Sequence, residues 1–183
     1  MATIDLIRHG QPDTTIHDDF KRPLTAHGRE QAQQLVKQLH NTPYTAIYSS
    51  PLLRALETVT PLAADHQLPI IQDERLVERK MPSWISDKAE FSDYVQHQWR
   101  DLGFASGEGE SIRGAQYRYL DFMCSLPEDA WVAVGAHGTA MSSIIEAGIP
   151  GAGFDFWQHM HFGDITRVTM HDGGLIEFSS WSL

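Results

Sequence analysis

The spacing of apolar positions changes several times along the chain, and each change marks an element. Residues 3–8, TIDLIR, form a short run with little polar content, the pattern of a strand buried on both faces. A polar stretch follows to Pro23. From Thr25, a natural N-cap, Ala32, Leu35, Val36 and Leu39 fall at helical spacing and predict an amphipathic helix. TAIYSS is the next strand. Ser50 and Pro51 then read as a cap and a first helical residue, opening PLLRALETVTPLA, where Pro61 is expected to kink or end the helix. LPIIQ predicts a third, short strand. Residues 73–110 are less regular, apart from an amphipathic segment through Phe91, Tyr94, Val95, Gln98 and Leu102. Ser111 caps a helix to about Leu126, WVAVGA is a fourth strand, and a helix follows from about Thr139 to Ala147. DITRVTM and LIEFSS, joined through HDGG, predict a closing pair of strands.

Strands alternating with helices argue for an α/β fold with a largely parallel sheet. The 183 residues fit one domain, 1–183, with enough bulk for a proper core. In such sheets ligands bind beyond the carboxyl ends of the strands. His9, Arg54 and His137 each lie just past the end of a predicted strand, so all three open onto one edge.

Composition narrows the partners. The 14 Lys and Arg against 24 Asp and Glu leave a formal charge of −10, and an acidic surface repels polyanions. Nucleic acid and an anionic membrane are therefore not expected as partners. A small anion fits only if basic residues gather in one pocket. The single Cys124 rules out an internal disulfide and a multi-cysteine metal site. No apolar stretch is long enough to span a bilayer, and MATIDL lacks the basic and apolar parts of a signal peptide, so a cytoplasmic location is expected. No segment marks an oligomer interface.

The basic residues in question suit an anion. Arg8 is a permanent cation whose fork can grip two phosphoryl oxygens. Arg54, in the first turn of its helix, adds its charge to free backbone N–H groups and the positive end of the dipole. Gly138 and Thr139 supply a similar helix start after His137. Gly10 and Gly138 let the backbone approach a ligand closely. Singly, each residue has an ordinary use: Arg8 in an ion pair, His9 as a core histidine, Arg54 on an exposed helix face. Together at the strand ends they describe a tetrahedral-anion site on an otherwise acidic protein.

LIRHGQP, RPLTAHGREQA, IYSSPLLRALETV, ERLVE, GES with Arg118 seven residues on, and VAVGAHGTA follow one another in the chain. This ordered set, from Ile4 to about Ile145, resembles the histidine phosphatase superfamily, which includes the cofactor-dependent phosphoglycerate mutases. The resemblance implies a three-layer sandwich with a mostly parallel central sheet and helices on both faces. It also implies that His9 is the nucleophile, with Arg8, Arg54 and His137 around the phosphoryl oxygens and no metal or other cofactor. Asp73, Glu74 and Glu78 are candidate proton donors. The family places its acid two residues after a Leu, which selects Glu78 after Leu76; the ordinary alternative is a salt bridge with Arg75, Arg79 or Lys80. A phosphate alongside favours the protonated form that a general acid needs.

Two departures bear on the activity. RKMPSWISD keeps Trp84 but lacks the glycines usual there, and Thr15 stands where the mutases usually carry an Asn. The first bears on the shape of the substrate pocket; the second, with a chain shorter than the mutases usually have, leans toward a phosphomonoester hydrolase acting on a small phosphorylated metabolite. The alternatives are a phosphoglycerate mutase-type phosphotransferase and a non-catalytic phospho-ligand binding module. His159, His161 and His171 lack acidic partners at ligand spacing, so no metal site is expected. Trp84, Trp99, Phe154 and Trp157 read as core or pocket wall. Residues 11–22, 79–108 and 148–163 are the segments expected to set specificity.

Overall fold

Each apolar run that predicts a strand forms one. A computed structural model describes residues 1–171 and 174–183, so the middle of the HDGG connection lies outside the described residues. The elements in chain order are β1 (Ala2–Arg8), α1 (Ala26–Leu39), β2 (Ala46–Ser49), α2 (Leu53–His66), β3 (Ile70–Gln72), a 3₁₀ turn (Glu74–Leu76), α3 (Lys88–Arg100), α4 (Ile112–Cys124), β4 (Trp131–Ala136), α5 (Gly138–Gly148), α6 (Gly153–His159), β5 (Ile165–His171) and β6 (Gly174–Trp181). The sheet runs β3-β2-β4-β1-β5-β6. Its first four strands are parallel, while β5 and β6 are antiparallel to their neighbours.

Alternation along β1 divides the core into two layers. Ile4 and Leu6 pack with Tyr119 and Phe122 of α4 and with Met141 and Ile144 of α5. Ile7, on the other face, packs with Leu35 and Leu39 of α1 and with Val59 and Leu62 of α2. A strand with apolar residues on both faces loses the usual polar alternation, which is why TIDLIR reads as a nearly continuous run. Helices on both faces of a mixed, mostly parallel sheet are the expected α/β architecture. None of the helices among the described residues is long and apolar enough to cross a membrane.

The helix boundaries differ from expectation in three places. First, α2 starts at Leu53, not at Pro51, and its N-cap residue Leu52 makes no side-chain cap. Ser50 instead accepts from the Leu52 N–H at 3.2 Å within a turn, and the Leu53 N–H is satisfied by the Phe20 carbonyl at 3.1 Å. A distant loop thus does the capping that the local sequence assigned to Ser50. Second, Pro61 does not end the helix, which runs on to His66 and stops at Gln67 in the left-handed region, φ 55°. Val59, Leu62 and Ala63 are buried on both sides of the proline. Burying each large side chain gains about 1.5–3 kcal/mol, which offsets the roughly 3 kcal/mol that an interior proline costs. Third, the sequence did not predict α6, a short helix with only Gly153 fully buried.

Candidate active site

Strand register brings the two histidines together. Arg8 of β1 lies opposite Ala136 of β4, and the His9 N–H donates to the Ala136 carbonyl at 3.0 Å. The next residues on the two strands are therefore neighbours. The His9 and His137 rings sit 5.2 Å apart and tilted by 58°. Arg54 reaches the same edge from the first turn of α2, after β2. The side chain of Arg54 is 4% exposed, and His137 is fully buried.

The His9 ring has a defined tautomer. Its Nδ1 lies 2.8 Å from the Gly10 carbonyl, which can only accept, so Nδ1 carries the hydrogen and Nε2 carries the lone pair. Burial, together with the Arg54 guanidinium, holds His9 well below the ordinary imidazole range; Arg8 and Arg22 add to this. Burial holds His137 down as well, reinforced by Arg54, His9, Arg8 and Arg118. Both rings are neutral at physiological pH. Neither nitrogen of His137 has a protein partner, and the same is true of Arg8 Nε. A buried polar atom without a partner is costly, and here three of them meet at one edge. An anion with several acceptor oxygens would satisfy them.

Glu78 sits at the start of α5. Its Oε2 accepts from the Thr139 N–H at 3.0 Å, and its Oε1 accepts from Ala140 at 3.0 Å and from Arg79 at 2.7 Å. Two of the free amides at that helix end are therefore taken by a carboxylate, whereas the sequence offered that helix start to the ligand. Arg118 supports the segment from behind. It pairs with both Glu110 oxygens, at 2.7 and 2.6 Å, and donates to the carbonyls of Arg75 and Val77. Asp73 and Glu74 play no part at this edge that the structure shows. Asp73 caps the 3₁₀ turn and pairs with Arg75.

The two glycines also make room within the protein itself. A Cβ on Gly10 would meet the Gly28 carbonyl at 2.6 Å, and the Gly10 N–H is already donated to Thr58 at 2.9 Å. Gly10 therefore makes room for α1. A Cβ on Gly138 would lie 3.2 Å from Arg8 Nε, so Gly138 makes room for the guanidinium.

The sequence marks 11–22 and 148–163 only as specificity segments, and the roles of two groups of residues in and beside them were missed. Residues 160–164 wrap around Arg8. Met160 offers its carbonyl to Nη1, Phe162 lies 4.4 Å from the guanidinium and 5.5 Å from the His9 ring, and Asp164 accepts the Arg8 N–H at 2.9 Å through its backbone. Burial lowers the Arg8 pKa, and the charges of Glu78 and Asp164 work against that. The second group is the loop 13–22. Asp19 touches Arg54 and Arg22, and His17 stacks on Trp84 at 4.3 Å. No sequence pattern marks the contacts with Arg8, Arg54 and Trp84, because those partners are more than 30 residues away. The exposed histidines have acidic partners the sequence did not pair with them: Asp155 for His159 at 3.5 Å and Asp164 for His161 at 3.7 Å. Among the described residues no three His, Cys, Asp or Glu side chains gather as a metal site.

Known proteins resemble the chain in sequence and in fold. A 2,3-bisphosphoglycerate-dependent phosphoglycerate mutase of Gloeobacter violaceus is 27% identical over 163 residues, covering 79% of this chain and 74% of the mutase. An adenosylcobalamin/alpha-ribazole phosphatase of Escherichia coli is 36% identical over 116 residues, 57% of each chain. Among solved structures, YhfR of Bacillus stearothermophilus superposes with a TM-score of 0.80 at 26% identity, covering 96% of this chain and 95% of that one. A mycobacterial glucosyl-3-phosphoglycerate phosphatase shares the fold, with a TM-score of 0.78 at 23% identity over 97% and 96% of the two chains. A family model of the histidine phosphatase superfamily (branch 1) matches residues 4–182, and the chain belongs to that superfamily.

Proposed function

We propose that the protein is a phosphomonoester hydrolase that works through a phosphohistidine on His9. The observation that carries this reading is the neutral His9 ring, its Nε2 left as a base, beside Arg8, Arg54 and His137. A neutral imidazole with a free lone pair is a nucleophile at physiological pH. In the first step Nε2 attacks phosphorus and the ester P–O bond breaks, while Glu78 gives its proton to the departing oxygen. Arg8 and Arg54 neutralise the charge spread over the equatorial oxygens, and positioning does most of the rest. In the second step water attacks the phosphohistidine, the P–N bond breaks, and Glu78 takes the proton from water. A bound phosphoryl dianion favours the proton on His137, so substrate itself prepares that group. The expected substrate is a small phosphorylated metabolite. No step requires a metal, because the arginines and His137 supply the positive charge.

Phosphate release from an aryl phosphate ester in the presence of EDTA tests this, with native protein and His9→Ala in parallel. Release by native protein that falls by roughly a thousandfold or more in the variant is the expected result. Equal release from both would remove His9 as nucleophile. One observation favours a second reading: the mutase relative aligns across 79% of the chain. A mutase returns the phosphoryl group to another hydroxyl. It would show little net release and would depend on a bisphosphate primer.

A further inference from the structure

We propose that the Asp19 carboxylate is a built-in competitor for the phosphate site: it occupies Arg54 in the free protein, yields to an incoming phosphoryl group, and so sets the site's affinity for anions. This rests on the reading of that edge as a phosphate site. Two oxygens of Asp19 hold Arg54 Nη1, the backbone carbonyl at 2.8 Å and Oδ1 at 3.0 Å. The two bonds are not equivalent. The carbonyl belongs to a backbone with its own anchors. Phe20 accepts from Leu53 at 3.1 Å, and Arg22 donates to the carbonyls of Ile16 and His17 at 2.7 and 3.2 Å. The carboxylate, by contrast, is 53% exposed and can turn about its own side-chain bonds. When it turns, the carbonyl keeps the guanidinium in place.

The carboxylate also has a second partner. Arg22 Nη1 lies 3.2 Å from the same Oδ1, so a carboxylate that leaves Arg54 stays beside a cation. That lowers the cost of the exchange. The Arg54 charge acts on both His9 and His137, so whatever anion it holds bears on the reaction centre. A dianion carrying several acceptor oxygens outcompetes one exposed carboxylate for a buried guanidinium. The same carboxylate, returning as phosphate departs, shortens the stay of product.

The test is calorimetric titration of inorganic phosphate, at fixed ionic strength, into native protein, Asp19→Asn and Asp19→Ala. Asn keeps the size of the side chain and removes the charge; Ala removes both. A far-ultraviolet spectrum confirms that all three are folded. If Asp19 competes, both variants bind phosphate about three- to fivefold more tightly, the range set by an exposed ion pair. Equal or weaker binding in both variants, with native protein binding normally, overturns the competition and makes Asp19 a positioning residue for Arg54. Failure of all three folded proteins to bind phosphate overturns the phosphate site itself, and the competition with it.

Discussion

At the scale of single residues, the site depends on two imidazoles kept neutral by burial and by neighbouring arginines. That arrangement costs stability as the solution becomes acidic. In the unfolded chain each imidazole titrates near its ordinary value of 6.5, while in the folded chain both sit well below it. As pH falls through 6.5, the unfolded state binds protons that the folded state refuses, and the balance shifts toward unfolding. Stability is therefore greatest above 6.5 and declines below it until the folded-state values are reached. Melting temperatures recorded from pH 7.5 down to 5.5 should fall, and the decline should be shallower in His137→Asn, which has one such group fewer. Parallel declines in the two proteins would show that other groups govern acid sensitivity.

At the scale of elements, the strands were legible because apolar runs bounded by turn residues carry their own signal. The positions of His9 and His137 followed from them, since one residue past a strand end is fixed once the strand is. Less was legible where a distant segment decides the outcome. Ser50-Pro51 is a good local start signal, yet Phe20 caps α2 at Leu53. The wrapping of Arg8 by residues 160–164 and the Asp19 bridge depend on tertiary approach alone. The contact of α1 with the loop after β1 belongs to the same class. Gly10 and Gly28 meet backbone to backbone, and a Cβ on Gly28 would lie 2.3 Å from the Gln11 carbonyl. Helix propensity predicts that Gly28→Ala stabilises α1 by about 1 kcal/mol. The contact predicts the opposite, because neither partner is a flexible side-chain end. Overpacking of this kind costs about 1–3 kcal/mol and displaces the loop that orients His9. Urea unfolding of Gly28→Ala should show a lower midpoint, with reduced phosphate release. A higher midpoint would mean that α1 shifts away freely.

At the scale of the whole molecule, an acidic protein of net charge −10 concentrates Arg8, Arg22, Arg54, Arg79 and Arg118 around one end of its sheet. The opposite sign is buried elsewhere on the same central strand. Asp5 is completely inaccessible, on the β1 face that packs against α1 and α2. Its carboxylate accepts from Arg167 Nε and Nη2 at 2.7 and 2.8 Å, from the Tyr44 hydroxyl at 2.7 Å and from Trp131 Nε1 at 3.4 Å. Burial and the Asp5 charge push the Tyr44 phenol up, so it remains a donor. Asp5 and Arg167 face each other in the β1–β5 register, where the sheet changes from parallel to antiparallel. The guanidinium also lies over Trp131 and Trp181, at 4.8 and 5.2 Å. One ion pair therefore joins β1, β4, β5 and β6. Removing its cation leaves a carboxylate with no water to turn to. Arg167→Met should lower the unfolding free energy by about 3 kcal/mol. Asp5→Asn in the same chain should recover part of that loss, because the stranded charge is then gone. Urea unfolding of the single and double variants measures both terms. A single variant within about 0.5 kcal/mol of native, the range of ordinary surface substitutions, would show that Tyr44 and Trp131 alone can hold the charge.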